Sequence, residues 1–309
     1  MLIARNLSRF FHTTTSCLAS EKSALAALRK KTGYTFSNCK KALEIHNNDL
    51  AKAEEWLKQQ AKALGWSKAT KLEGRQTTQG LVGVNVENNE GVLVEVNCET
   101  DFVARNAEFE NIVKEVAETC LNYLKSSPNS THAITKIGLD SEQLKSLKAS
   151  DGNTLADKIA LMIGSVGENA TLKRAVGIRV NNGTHLSGYA HPSGKSANST
   201  LLGRIGGLVA LRSVNDESPH IEQIGAGLCQ HIVGMAPTSI GKADEEPTAN
   251  NEDETNLIHQ EYLLDDTLTV KQLLDENQVE VVDFQRFECG ERSVNAVGEQ
   301  PLDKVEVCQ

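Results

Sequence analysis

The sequence predicts an α+β protein: an N-terminal three-helix bundle followed by a duplicated core of two small antiparallel sheets covered by helices. Three observations carry that expectation. Apolar residues recur at helical spacing over residues 22–66. Residues 81–86, 92–97 and 175–180 are rich in Val, Leu and Ile, and together with 186–190 they are bounded by Asn- and Gly-containing turns, the pattern of strands. A strand, a polar loop and an apolar-periodic helix then recur in the same order twice.

The first twenty residues differ from the rest. They hold Arg5 and Arg9, no acidic residue before Glu21, and a hydroxyl run at Thr13, Thr14, Thr15 and Ser16. On a helical wheel Ile3, Leu7, Phe10 and Phe11 share one face with the arginines opposite. The segment resembles a mitochondrial transit peptide over residues 1–20, with an ordinary flexible N-terminus as the alternative, and the first reading sets the expected location as the mitochondrial matrix. No continuous apolar run of secretory type is present, and none reaches the roughly eighteen residues of a membrane span.

Residues 22–66 read as a compact helical unit. Leu25 and Leu28 lie one turn apart, and Thr32-Gly33 ends the first helix, glycine tolerating a left-handed terminus. Ser37 can cap the second helix, which buries Cys39, Ala42 and Leu43. Asn48 or Asp49 can cap the third, with Leu50, Ala53, Leu57, Ala61 and Leu64 as its stripe. The layout resembles ubiquitin-associated domains, which by itself implies no ubiquitin binding. Arg29, Lys30, Lys31, Lys40 and Lys41 read as a solvated face or as a contact for an acidic rim on a partner. Residues 67–79 follow as a polar, mildly basic linker.

The core divides at residues 80–174 and 175–309. The first copy is a hairpin with an Asn88-Asn89-Glu90-Gly91 turn, then a helix from Asn106 to Lys125. Thr154 with Asp157 starts a further helix through Met162. The second copy runs across an Asn182-Gly183 hairpin turn to a strand at Leu208–Val214 and a helix at His220–Val233. Val279–Glu288 supplies a last strand. Gly241–Thr255 is short, acidic and without apolar period, so a mobile loop is expected there.

Composition narrows the function classes. With 32 basic and 41 acidic residues the net charge is -9, which argues against broad nucleic-acid binding, since that needs a basic footprint on phosphates. Hydrophobic residues make up 39%, enough for a real core. Seven cysteines lack any Cys-x-x-Cys pair, so neither a zinc site nor a disulfide framework is indicated. There is no Walker A run, and Gly203-Arg204-Ile205-Gly206-Gly207 has the wrong spacing and context for a dinucleotide site; close packing is its expected role. Cys229 and His231, two apart on a helix, point in different directions and make a poor metal pair. No cofactor or metal is implied.

One run stands out: Asn97-Cys98-Glu99-Thr100-Asp101-Phe102-Val103-Ala104-Arg105-Asn106, which sets a carboxylate beside an aromatic ring between a strand and a helix. Two readings of the residues stay open. Thr100 or Asp101 caps a helix and Phe102 fills the core, or Phe102 sits at a loop tip and enters a partner.

The run resembles the Thr-Asp-Phe-Val signature of the elongation factor Ts family, nucleotide exchange factors of the GTPase elongation factor Tu. Further resemblances fall in family order from about residue 22 to about residue 290. They are Leu28 to Gly33 with Asn38 to Leu43, Ile163 to Asn169 with Lys173-Arg174, Gly188 to His191, His231 to Pro237, and Val282 to Cys289. The resemblance implies a protein without covalent chemistry that contacts mitochondrial elongation factor Tu, GDP-bound and nucleotide-free. It implies partner contact through Asp101, Phe102, Thr100 and Val103, through Arg29, Thr32, Gly33 and Lys40 in the N-terminal module, and through Val166, Gly167 and His191 in the core. Two departures stand out. The long helical hairpin common in bacterial members is replaced by Gly241–Thr255, and Phe36-Ser37 stands where they often carry methionines. A small-molecule enzyme and an RNA-binding scaffold are the rival classes; the first lacks a polar constellation and the second a basic face.

Overall fold

The computed structural model describes residues 16–291 apart from residues 33, 35, 129–132, 193–199, 215–219, 243 and 249. The chain divides into two compact units, residues 1–64 and 65–309. The transit-peptide expectation lies for the most part outside the described residues; from Ser16 the backbone is helical.

In the first unit, α1 (Ser16–Thr32), α2 (Phe36–Ile45) and the start of α3 (Leu50–Leu72) enclose Leu28, Cys39, Ala42, Leu43, Ala53 and Leu57. Asp49 caps α3 as expected, its carboxylate accepting the Ala51 and Lys52 amides at 3.1 Å each. Two expectations need correction. Ser37 is not the cap of α2, because that helix opens at Phe36 and places Ser37 inside its first turn. Leu50 and Leu64 of the expected α3 stripe are exposed, so the core is made where α3 meets α1 and α2, at Ala53 and Leu57.

The second unit is layered. On one side lie α4 (Asp101–Ala104), α5 (Ala107–Ser126), α6 (Ser141–Ser146) and α7 (Leu155–Val166). They cover a five-stranded antiparallel sheet ordered β3-β4-β2-β1-β6, from β1 (Gln79–Glu87), β2 (Glu90–Cys98), β3 (Ile134–Leu139), β4 (Ala170–Val180) and β6 (Thr200–Gly203). Its other face packs on a three-stranded antiparallel sheet ordered β10-β7-β5, from β5 (Thr184–His191), β7 (Ile205–Ser213) and β10 (Val279–Glu288). Beyond it lie α8 (Ile221–Met235), α9 (Val270–Asn277) and the pair β8 (Glu261–Tyr262) and β9 (Asp265–Thr269).

Strand chemistry explains the layering. Val92, Val94, Val96 and Cys98 of β2 face the helices, while Leu93 faces the second sheet. A β-carbon at Gly206 would stand 2.7 Å from a Val82 methyl and 2.8 Å from a Val84 methyl, so glycine is what lets the sheets meet there. Glu95, fully buried on β2, is held by the Arg174 guanidinium at 2.7 Å and the Gly290 amide at 2.9 Å. A buried carboxylate of this kind is tolerable because it is paired.

The structure corrects the expected subdivision. Residues 174/175 fall inside β4, and β6 returns to pair with β1, so the first sheet draws strands from both sides of that boundary. Nor do β4 and β5 form a hairpin. The turn at Asn182-Gly183 exists, with Gly183 at φ +87°, but β4 is paired on both edges by β2 and β3. The chain therefore crosses to the second sheet, where Leu186 pairs with Ala210 of β7.

The expected linker is helix over residues 67–72, since α3 runs to Leu72. Its last part is fixed to α7: the Trp66 indole donates to Asp157 at 3.0 Å, Lys68 donates to the Gly164 carbonyl at 2.6 Å, and Ala69 and Leu72 pack on the first core. Polar composition hid an apolar face at helical spacing. The acidic loop is likewise anchored in its described part. Glu254 is buried, its carboxylate accepting the Thr248 amide at 2.9 Å and the Asn256 amide at 2.8 Å, and its own carbonyl accepts the Gln260 amide group.

Candidate functional site: an exposed phenylalanine on a capped turn

The chain leaves β2 at Cys98 and turns twice before α5 begins. Thr100 is the N-cap of α4, extended at φ -124° and ψ 155°, and its hydroxyl oxygen accepts the Val103 amide at 3.4 Å. Asn106 is the N-cap of α5 and accepts the Glu108 amide at 2.9 Å. Between the caps lies a single helical turn, too short to sustain itself, because helix nucleation is unfavourable without outside support. Val103 and Ala104 supply part of that support by burial in the first core beside Phe109.

Helical twist then turns Phe102 away from these two inward residues, leaving it 81% exposed. The reading in which Phe102 fills the core is thus corrected, although its other half holds: Thr100 does cap. Val103, expected at a partner surface, is a core residue and can act only by holding the turn. Asp101, about half exposed, pairs with Arg105 at 3.1 Å.

A second layer of polar contacts backs the tip. Thr100 donates its hydroxyl proton to Glu168 at 2.8 Å, and the Glu99 carboxylate accepts the Asn169 amide at 2.7 Å while meeting Arg75 at 3.5 Å. Ser165 donates to Glu108 at 2.9 Å. These partners follow from the way α7 ends: Gly167 adopts the left-handed conformation (φ 81°, ψ 10°), its amide closes on the Ile163 carbonyl, and Glu168 is left aimed at the tip. Beneath, the Cys98 thiol donates to the Thr100 carbonyl at 3.2 Å; burial pushes this thiol up to about 12, so it stays a neutral donor.

Beside the tip is a cleft of about 460 Å³ whose lining includes Asp101, Arg105, Lys114, Pro192, Leu202 and Arg204. His191 is exposed at the end of β5, 3.4 Å from the Tyr189 hydroxyl, and its carbonyl accepts the Arg204 amide at 2.7 Å. The structure therefore brings Thr100, Asp101, Phe102 and the turn at Val166-Gly167 together, with the chain at His191-Pro192 meeting the same cleft. Val166 packs on the first core and Gly167 is exposed. In the first unit Arg29 is exposed in the last turn of α1, Lys40 is exposed beside Glu44 at 3.7 Å, and Thr32 donates to the Leu28 carbonyl at 2.7 Å. Gly33 lies outside the described residues.

Sequence reading gave Glu99, Glu168, Lys114 and Arg204 no role at the site. The tip's partners lie 68 to 70 residues along the chain, a separation no local pattern reports. Among the described residues no three His, Cys, Asp or Glu side chains converge as a metal-binding group. His231 is buried, with the Leu263 amide donating to Nδ1 at 3.1 Å and Nε2 facing Gln260 Oε1 at 2.9 Å.

The layered core thus presents Phe102 outward on a turn capped by Thr100 and backed by Glu168. Two family models match the chain: Elongation factor Ts, mitochondrial, N-terminal, over residues 8–67, and Elongation factor TS over residues 99–256. Relatives named mitochondrial elongation factor Ts are similar along most of their length. The one from Aedes aegypti is 53% identical over 277 residues, spanning 88% of this chain and 89% of the relative. That from Drosophila melanogaster is 49% identical over 313 residues, spanning 96% and 97%, and that from Homo sapiens 45% identical over 280 residues, spanning 89% and 85%. The chain belongs to the elongation factor Ts family, in its mitochondrial form, a family of translation elongation factors.

Proposed function

We propose that this protein binds mitochondrial elongation factor Tu in its GDP-bound form, promotes GDP release, and holds the nucleotide-free state until GTP binds. No bond is made or broken. The work is thermodynamic coupling: if the factor weakens GDP binding, GDP weakens the factor's binding by the same ratio. The observation that carries the reading is Phe102, 81% exposed on a turn fixed from behind. A ring held outward in this way can enter a partner without reorganising first. Phe102 parts side chains near the partner's magnesium site, and Asp101 brings a carboxylate to where metal and phosphate were balanced. Thr100 and Val103 hold the turn. Val166, Gly167 and His191 flank the contact.

The N-terminal unit is a three-helix module of ubiquitin-associated layout that adds a second grip through Arg29, Thr32, Gly33 and Lys40. Residues 1–20 are a transit peptide, and the mature protein acts in the mitochondrial matrix. The test is direct: purified protein is mixed with mitochondrial elongation factor Tu loaded with fluorescent GDP. Substoichiometric amounts accelerate release of the label; a rate equal to spontaneous release contradicts the proposal.

A further inference from the structure

We propose that Glu168 is a positioning residue for the exchange tip: by accepting the Thr100 hydroxyl proton it fixes the cap that aims Phe102. The inference rests on the reading of Phe102 as the exchange wedge. A threonine hydroxyl has one proton and two lone pairs. With the proton committed to Glu168 at 2.8 Å, a lone pair faces the Val103 amide; with the proton free to rotate, the cap, already long at 3.4 Å, has no fixed acceptor. α4 is a single turn whose aromatic makes little contact of its own, so its aim depends on this cap and on Val103 and Ala104 beneath. The same stretch of chain grips the neighbouring residue too, the Asn169 amide donating to Glu99 at 2.7 Å. Gly167, left-handed at φ 81°, sets the turn that delivers both groups. The segment from Gly167 to Asn169 is therefore a clamp on residues 99 and 100, and Glu168 is the part of it that touches the cap.

The test compares wild type, Phe102→Ala, Glu168→Ala, Glu168→Gln and the double variant Phe102→Ala/Glu168→Ala. Each is assayed for release of fluorescent GDP from mitochondrial elongation factor Tu and for its unfolding midpoint. Loss of a hydrogen bond to a charged group predicts a fall of about tenfold in the maximal exchange rate of Glu168→Ala, with a smaller change in half-saturating concentration. Its unfolding midpoint stays near wild type. Glu168→Gln, which keeps a carbonyl acceptor, recovers most of the rate, and Glu168→Ala adds nothing once Phe102 is gone. Glu168→Asp, which draws the carboxylate back from the hydroxyl while leaving the Thr100 oxygen to accept the Val103 amide, also slows exchange and serves if Glu168→Ala unfolds; Glu168→Asp exchanging at the wild-type rate overturns the positioning role. Wild-type exchange by Glu168→Ala alongside a slow Phe102→Ala overturns the positioning role alone. An undiminished effect of Glu168→Ala in the Phe102→Ala background also overturns it, since the carboxylate then acts on the partner directly. Wild-type exchange by Phe102→Ala overturns the wedge reading itself.

Discussion

The two strand–loop–helix units of the core are built alike but differ where the strand passes into the helix. α5 lies on β1 and β2 much as α8 lies on β5 and β7, each helix closing its own apolar core. In the first, a one-turn helix with its own cap is interposed before α5, and the caps at Thr100 and Asn106 turn Phe102 outward. In the second, α8 starts at Ile221, its N-cap His220 making no side-chain cap hydrogen bond, and its distinctive polar residue, His231, points inward to Gln260 and Leu263. The comparison teaches that the exposed aromatic is not a loose end of a loop. It is the product of capping by Thr100 and Asn106, whereas among the described residues His220 makes no such side-chain bond at the start of α8.

The largest effect that can break this comparison is at Phe109, seven residues past the tip and fully buried in the first core. Phe109→Ala is expected to lower unfolding free energy by about 3–5 kcal/mol, as core truncations of this kind do. Exchange per folded molecule should change little. Urea unfolding together with GDP-release kinetics checks it, and a stable variant with poor exchange would assign Phe109 to the contact instead.

In the second unit, replacing His231 with leucine leaves the buried Gln260 oxygen and the Leu263 amide without their partner, at a cost of about 1–3 kcal/mol. pH sharpens the test. Burial holds the His231 imidazole below its ordinary value, so the folded state binds fewer protons than the unfolded one. Stability is then full above about pH 6.5 and declines as pH falls below it, where the unfolded chain takes up the proton first. His185, lowered by burial as well, acts with the same sign. Unfolding midpoints at pH 7.5 and 5.5 should converge in part for His231→Leu; an unchanged pH dependence would show that this imidazole does not contribute.

Asp101→Asn is expected to have the smallest effect on the fold. Its pair with Arg105 is exposed, and such pairs contribute about 0–1 kcal/mol. Exchange should fall by more than stability does, because the substitution keeps shape while removing charge. Equal small changes in both would remove Asp101 from the chemistry of release.

Local pattern carried much of the fold. β10 matches the expected span at Val279–Glu288, α5 lies within a residue of its expected span and α7 begins after its expected cap at Thr154, because alternation, helical spacing and cap residues are short-range signals. α6 and α9 went unread although each opens with a capping box, Asp140 with Gln143 and Thr269 with Gln272. Strand pairing was the harder matter. β4 and β5 satisfy every local rule of a hairpin, yet β4 has neighbours on both edges, a circumstance decided by strands from 90–98 and 134–139. The tip itself was half legible. Its residues are contiguous, but whether Phe102 points in or out depends on where Val103 and Ala104 find their core, and its clamp at Glu168 comes from another element altogether.

Under the proposed function Phe102 acts outside the protein's own core, and Phe102→Ala tests this most directly when unfolding and GDP release are measured on the same preparation. The expected result is an unfolding free energy close to wild type with a loss of about 2 kcal/mol or more at the interface, roughly thirtyfold in release rate or partner affinity. A variant destabilised by about 3–5 kcal/mol whose folded fraction still exchanges normally would contradict the account.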